Sequence, residues 1–369
     1  MLPEISPRTS APDVEYVALG TLVRSVSVRG YQVTTDKYEA DGDFPIVDQG
    51  KALIVGYTSE QQPLPCNLPV TVFGDHTREV KFVAFPFVAG ADGIKVLEPA
   101  DGQVPRYLNA LIEYAAERIS NLGYSRHYKE LKEAVVPYLA DPAEQQRVAA
   151  VLRAWDTAIA TAERLVEEQR VQFRAILSQI TAGLVSTRLD NVAAISRCAP
   201  NIGVQQAQEA GAPLFTAGGM TGRYSPAAHH GAAIILSAIG AQCGKCFYAD
   251  GDWTAGANTM IVTPKDETYS RFLFHYLNTI QPWPIQGSGQ PYISPANARR
   301  SPVPDIDGIT AQRLGNILDC SSKLTTQAKH RVAALRRQKR GLMQLLLTGT
   351  LRVPEGINAL IPAALEAAE

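Results

Sequence analysis

Two stretches of this 369-residue chain repeat apolar side chains at alternating steps of three and four residues. In the first, the seam runs Val148, Leu152, Trp155, Ile159, Ala162, Val166, Gln169, Phe173, Ile176 and Ile180, and only Gln169 breaks it. In the second it runs Leu314, Leu318, Ser321, Thr325, Ala328, Val332, Leu335, Lys339, Leu342 and Leu346, apolar at seven of ten positions. A 3.5-residue period held over about five heptads predicts coiled-coil packing rather than an ordinary globular helix face. Forty residues at 1.5 Å each make a rod of roughly 60 Å. Segments 144–183 and 310–349 align without a gap, 166 residues apart, and nine of forty positions are identical. Gln146/Gln312, Arg147/Arg313, Gln172/Gln338 and Gly183/Gly349 are among them. The terminal glycines suit left-handed C-caps. Either seam could pair separate chains, but two matching seams in one chain pair more simply with each other, antiparallel.

The segments before the rods differ in character. Residues 14–140 and 190–308 hold short β-rich runs (PVTVFG, VKFVAFPFV, GIKVLEP; AAIILSAIG, NTMIVTP) punctuated by Gly, Pro, Asp and Asn. Each contains one helical stretch, RYLNALIEYAAERIS or YSRFLFHYLNTI. The parts come in matching order: Pro45–Gly50 with Pro213–Gly218, Val70 with Ile234, Gly93–Pro99 with Ala257–Pro264, Tyr107 with Phe272. The predicted class is therefore α+β, two globular units separated by two long antiparallel helices in a pseudo-two-fold internal repeat. Its predicted boundaries are 1–143, 144–183, 184–309, 310–349 and a tail at 350–369. A chain built as two copies of one unit suits a target that is itself two-fold, for which a length of DNA is the first candidate.

Composition narrows the classes without choosing one. The chain is 46% hydrophobic, enough for two or three domain cores, and its net charge of −1 gives no global basic footprint. That disfavours a free-standing high-affinity nucleic-acid binder, but not one acting inside a complex. Five cysteines without framework spacing imply a reducing compartment. The first residues carry no apolar signal-peptide core and no run approaches 18 apolar residues, so the expected location is cytoplasmic, away from membranes.

Candidate chemistry lies in loops. Gly74-Asp75-His76-Thr77-Arg78 packs donors and acceptors into a turn, with Arg78 suited to guanine and Asp75 to cytosine N4. The opposing reading of Asp75 is a turn carboxylate accepting local backbone bonds. Tyr124-Ser125-Arg126-His127-Tyr128, followed by Lys129, interleaves basic and aromatic groups, and Gly287-Ser288-Gly289-Gln290-Pro291-Tyr292 is its counterpart. The alternative is a solvated loop whose tyrosines pack inward. Lys81, Arg223-Tyr224, Lys245 and Arg299-Arg300 complete the DNA-contact candidates, which from the loops are His76, Thr77, Arg78, Tyr124, Ser125, Arg126, His127, Lys129, Ser288 and Gln290.

Cys243-Gly244-Lys245-Cys246, with His229-His230 upstream, lacks the second pair that a zinc site needs, and two buried thiols are expected. The basic run from Lys329 to Arg340 reads as the wet face of a helix, or as a stripe facing phosphate or an acidic partner. Pro304-Asp305-Ile306-Asp307 lacks the neighbouring lysine of a nuclease site. No P-loop, Gly-rich cofactor loop, nucleophile elbow or methyltransferase Asn/Asp-Pro-Pro-Tyr/Phe run is found.

The runs FPIVDQGKALIVGYTS (44–59), LPVTVFGDHTREVKFVAFPFVAGADGIKVLEP (68–99) and YSRHYKELKEAVVP (124–137) resemble a target recognition domain of type I restriction–modification specificity subunits. PLFTAGGMTGRYS, AIILSAIGAQCGKCFYADGDWTAGANTMIV and GSGQPYISPANARRSPVP resemble a second, different domain of that family, and RQKRGLMQLLLTGTLRV (337–353) its C-terminal end. The resemblance covers about residues 15–353. The second rod lacks the Pro-Ala-Glu start of the first. The resemblance implies that each domain reads half of a bipartite DNA site, with the rods as spacer and as dock for two methyltransferase subunits. Two restriction or translocase subunits would be further partners. This chain would then catalyse nothing, and S-adenosylmethionine would be bound by the methyltransferase. The alternatives are a coiled-coil adaptor that never touches DNA and the recognition half of a stand-alone restriction–methylation enzyme.

Overall fold

The computed structural model describes residues 6–7, 14–90, 93–119, 126–198 and 202–355. The chain divides into two compact units, Met1–Ala162 with Arg331–Glu369, and Glu163–His330. Each unit therefore takes half of each long helix.

In the first unit, strand Ser6–Pro7 (β1) precedes Val14–Ala18 (β2), Val23–Val26 (β3), Phe44–Val47 (β4) and Gly56–Thr58 (β5). Val70–Gly74 (β6), Val80–Val83 (β7), Val88–Ala89 (β8) and Ile94–Pro99 (β9) follow. Helices Pro105–Ala116 (α1) and Tyr128–Glu133 (α2) and strand Val135–Leu139 (β10) then lead into the 40-residue helix Pro142–Thr181 (α3). One sheet has the order β3-β9-β6-β7, all antiparallel. A second has the order β5-β4-β8, with β4 and β8 parallel. Strand β2 pairs antiparallel with β10.

Alternation along β6 explains why the whole strand is buried. Phe73 faces a core with Leu108, Leu111 and Ile112 of α1, while Val70 and Val72 face a second core with Val47, Phe87 and Val96. Thr71 looks toward α1, and its hydroxyl donates to Asn109 Oδ1 at 3.1 Å.

The second unit repeats this topology. Ser186–Arg188 (β11), Leu189–Val192 (α4), Ala193–Arg197 (β12), Ala212–Thr216 (β13), Gly219–Tyr224 (β14) and His229–His230 (β15) come first. Ala233–Ser237 (β16), Cys246–Ala249 (β17), Asp252–Ala255 (β18) and Thr259–Pro264 (β19) continue the strands. Helices Ser270–Ile280 (α5) and Pro295–Arg300 (α6) and strand Pro302–Pro304 (β20) lead into the 40-residue helix Gly308–Leu347 (α7), after which Leu351–Arg352 (β21) pairs with β1. The sheet order β12-β19-β16-β17 mirrors β3-β9-β6-β7. Strand β13 runs parallel to β18 as β4 does to β8, and β11 pairs with β20 as β2 does with β10. Ile234 and Leu236 of β16 share a core with Phe272, Leu273 and Leu277 of α5, and Ile235 faces the other way, toward Trp253.

Both long helices begin and end 166 residues apart. Asp141 Oδ1 accepts the Ala143 N–H at 2.9 Å, and Asp307 Oδ1 accepts the Thr310 N–H at 2.9 Å. Both helices thus start from an aspartate side-chain cap, and α7 does so without the Pro-Ala-Glu that follows Asp141 in α3. Gly183 and Gly349 lie just past the last turns with φ of +75° and +68°, a backbone that glycine adopts without strain.

All twenty seam positions are buried or half-buried. The first unit's core takes Val148 and Leu152 from α3 and Met343 and Leu346 from α7. The second takes their counterparts at the 166-residue offset, Leu314 and Leu318 from α7 and Leu177 and Ile180 from α3.

The lysine in the second seam has its own explanation. Lys339 Nζ lies 2.8 Å from Glu113 Oε2 and 2.6 Å from Asp156 Oδ1, and Asn109 donates to Glu113 Oε1 at 2.9 Å. Burial works against the Lys339 ammonium, but the two carboxylates outweigh it and hold its pKa above the ordinary lysine value.

Candidate nucleic-acid interface

In each unit the structure draws together two of the loops that the sequence singles out. In the first, Gly74–Arg78 forms the turn after β6. The Asp75 carbonyl accepts the His127 N–H at 2.9 Å, and Asp75 Oδ1 accepts the Tyr128 N–H at 2.8 Å. Asp75 is buried and lies 3.8 Å from Lys95 Nζ. Its carboxylate thus ties the turn to the start of α2, a structural role, though through a distant backbone N–H rather than the local ones expected.

The second unit uses backbone bonds instead. Gln286 and Tyr292 exchange N–H···O bonds of 2.9 and 2.8 Å, leaving Gly287–Gln290 as an exposed tip. Gly240 N–H donates to the Pro291 carbonyl at 2.8 Å, and Ile293 N–H to that of Ala238 at 2.9 Å. The loop is thereby joined to the turn that carries Cys243–Cys246.

The individual side chains divide into those facing solvent and those engaged by the fold. Thr77 is exposed, and its hydroxyl donates to the Gln49 carbonyl at 2.6 Å. His76 is half-buried, and its N–H donates to Gln49 Oε1 at 3.3 Å. Arg78 sits at φ +61° and turns its guanidinium toward the Ile119 carbonyl, 3.1 Å away.

Lys81 is interior, with its ammonium 2.7 Å from the Asp48 carbonyl and also donating to that of Ala52. Burial pushes it below the ordinary lysine value, against the pull of Asp48. His127 is interior as well. Lys81 and His127 were expected at the DNA surface; as placed here they serve the packing of the domain. Arg126 is exposed, and Lys129 is exposed beside Glu133. Tyr124 and Ser125 lie outside the described residues.

In the second unit Lys245, Ser288, Gln290, Arg299 and Arg300 are exposed. Arg299 reaches the Ile195 carbonyl at 3.4 Å. Arg223 donates to the Gly211 carbonyl at 2.8 Å while staying exposed on β14, and Tyr224 beside it is half-buried.

Cys243 is half-buried and Cys246 buried, and burial pushes both thiols up. His230 pairs with Asp252 at 2.7 Å, and His229 stacks on Trp253 at 4.5 Å. Among the described residues no group of three or more His, Cys, Asp or Glu could hold a metal ion. No helix among them is long and apolar enough to cross a membrane.

One loop escaped the sequence reading. The eight residues Asp48–Val55 between β4 and β5 bring Lys51, Leu53 and Ile54 to the surface. The Asp48-Gln49-Gly50-Lys51 turn chemistry was the available signal.

Residues 187–304 match the type I restriction modification DNA specificity domain. The specificity subunit of the type I restriction enzyme EcoR124I/EcoR124II from Escherichia coli is 27% identical over 128 residues, 32% of this chain and 32% of that protein. The match spans about a third of that curated relative's length. The crystal structure of a type I restriction-modification S subunit from M. genitalium superposes with a TM-score of 0.60 at 16% identity, covering 94% of this chain and 99% of the other. A chain from a study of complex assembly and conformational transition in the type I R-M system gives 0.51 at 13% identity, covering 92% and 99%. At such identities the likeness is one of fold.

Proposed function

We propose that this chain, whose residues 187–304 belong to the type I restriction modification DNA specificity domain family, is the DNA sequence-specificity subunit of a type I restriction–modification complex. Each unit reads one half of an asymmetric bipartite site. The carrying observation is that two units of one strand order present different side chains at equivalent loops: His76, Thr77 and Arg126 in one, Lys245, Ser288 and Gln290 in the other. Equal scaffolds with unequal tips suit a target whose halves differ. Exposed Lys and Arg position phosphates, while Gln, Ser and Thr suit base edges.

The long helices act as a spacer, an antiparallel coiled-coil pair from an internal repeat. The matched offsets of their ends, caps and core positions support that reading. They also dock two methyltransferase subunits. Leu165, Val171, Ile317 and Leu324, exposed along the halves of α3 and α7 in the second unit, support a protein partner there. Adenine methylation, with S-adenosylmethionine, belongs to those partners, two restriction subunits complete the assembly, and the complex works in the cytoplasm.

Methylome sequencing of a host carrying the system tests this. The expected result is one bipartite motif with unlike halves and an unread gap. A continuous motif, or a palindrome read by both units, overturns it. The coiled-coil adaptor predicts no salt-sensitive, sequence-selective mobility shift of the complex on DNA.

A further inference from the structure

The Asp48–Val55 loop differs most between the two units. Its equivalent between β13 and β14 is only the two residues Ala217–Gly218. The long version is built around a buried cation. Lys81 rises from β7 into the loop, and its ammonium donates to the carbonyls of Asp48 and Ala52 while lying 3.5 Å from Asp48 Oδ1. Asp48 Oδ1 also accepts the Gly50 N–H at 2.7 Å. In the short version Phe247 stands at the position of Lys81, 166 residues on, and its ring rests against Gly219. The lysine accompanies the long loop, and an apolar ring accompanies the short one.

The loop is also fastened to the Gly74–Arg78 turn. Thr77 donates to the Gln49 carbonyl, and the Gln49 side chain accepts from the His76 N–H. At Gly93, with φ +90°, a Cβ would fall 2.7–2.8 Å from the Gln49 amide and the His76 ring. Only glycine leaves room for this junction. Loop and turn therefore present one rigid edge, on which Lys51, Leu53, Ile54 and Thr77 face solvent. A buried ammonium is costly to place in a fold, and here it braces a loop whose tip leaves Leu53 and Ile54 only partly covered, at 43% and 36% exposure.

We infer that Asp48–Val55 is a DNA-reading loop of the first unit, with Lys51 on backbone phosphate and Leu53–Ile54 against base edges, and that Lys81 is its positioning residue. Thymine methyl groups are the apolar features in the major groove that such a tip can meet. The inference rests on the proposed DNA-reading function and adds to it a loop that the second unit lacks. It also reassigns Lys81 from contact to support.

The test is selection from randomised DNA duplexes by the complex purified from its native host through this chain. Lys81→Met is expected to weaken base preference about tenfold in one half of the motif and leave the other half unchanged. Paired Leu53→Ser and Ile54→Ser substitutions, at the partly exposed tip, are expected to alter the same half at an unaltered melting midpoint. Lys51→Ala is expected to weaken binding to all sequences and lower the salt slope by about one.

Unchanged selection by the tip variants overturns the inference, whether or not Lys81→Met folds. So does an equal loss in both halves, since a loop that reads one half leaves the other unchanged. Loss of a co-purifying subunit with DNA selection intact assigns the tip to a protein contact and also overturns it. If the unmodified complex selects no sequence, the DNA-reading function itself fails, an outcome distinct from failure of the loop assignment alone.

Discussion

Lys339 and His275 show how two equivalent helix–domain junctions are closed by different chemistry. Lys339 binds Glu113 and Asp156; its counterpart at the 166-residue offset is Phe173, which meets the edge of the His275 ring at 5.5 Å. Lys339→Met strands two carboxylates and is expected to destabilise the protein by about 3 kcal/mol, read from the urea midpoint. The contribution of Lys339 is fully present below the ordinary lysine pKa and is lost only as pH climbs through its raised value. His275 has the opposite sign. Burial lowers its pKa against the pull of Asp319, 2.7 Å away, while Arg271 reinforces the lowering. Stability from a neutral His275 is present above the unfolded histidine value of about 6.5 and is lost as pH falls through the depressed folded value. Urea midpoints at pH 7.5 and 5.0 are expected to fall less in His275→Asn than in the unsubstituted chain; an identical pH response contradicts the assignment. Residue chemistry was only partly legible in the sequence. Asp75 was readable as a turn carboxylate from its residue type and its place after a strand, although the backbone N–H it accepts, that of Tyr128, lies far along the chain. Lys81 was not, because its acceptors are carbonyls some thirty residues earlier, and sequence does not register carbonyls.

At the scale of elements, the long helices were the most legible feature. A 3.5-residue apolar period survives any tertiary context, and the structure moves each helix start by only two residues, to the Asp141 and Asp307 caps. The matched core positions give an expectation that a sequence reading alone could not. Leu152→Ala and Leu318→Ala remove equivalent fully covered side chains and are each expected to cost about 3 kcal/mol. Unequal losses beyond about 1 kcal/mol in urea titrations would mean that the two junctions relax differently. Gly183→Ala places a Cβ in the left-handed region without touching a neighbour, so its expected cost of about 1 kcal/mol is backbone strain alone. The strand order of each unit was less legible. The parallel pairs β4–β8 and β13–β18 join segments about forty residues apart, and no local pattern encodes that pairing.

For the whole molecule, the fold likeness extends over 94% of the chain, while the domain match is confined to residues 187–304. That match lies within the second unit, and the first unit is like the second in its strand order. Exchanging residues 286–292 for those of a relative is expected to change only one half of the methylated motif, read by methylome sequencing. A change in both halves would mean that the units do not read independently.

The division of the helices has a consequence for synthesis on the ribosome. The first unit's core includes Met343, Leu346, Leu347 and Val353, and β1 pairs with β21. A nascent chain with its first 162 residues exposed has this unit's sheets and α1 but not the side chains that close its core. Protease resistance of arrested nascent chains is expected to appear for the first unit only after residue 353 has emerged. The domain translated first would thus be completed last, and until then it is a client for chaperones.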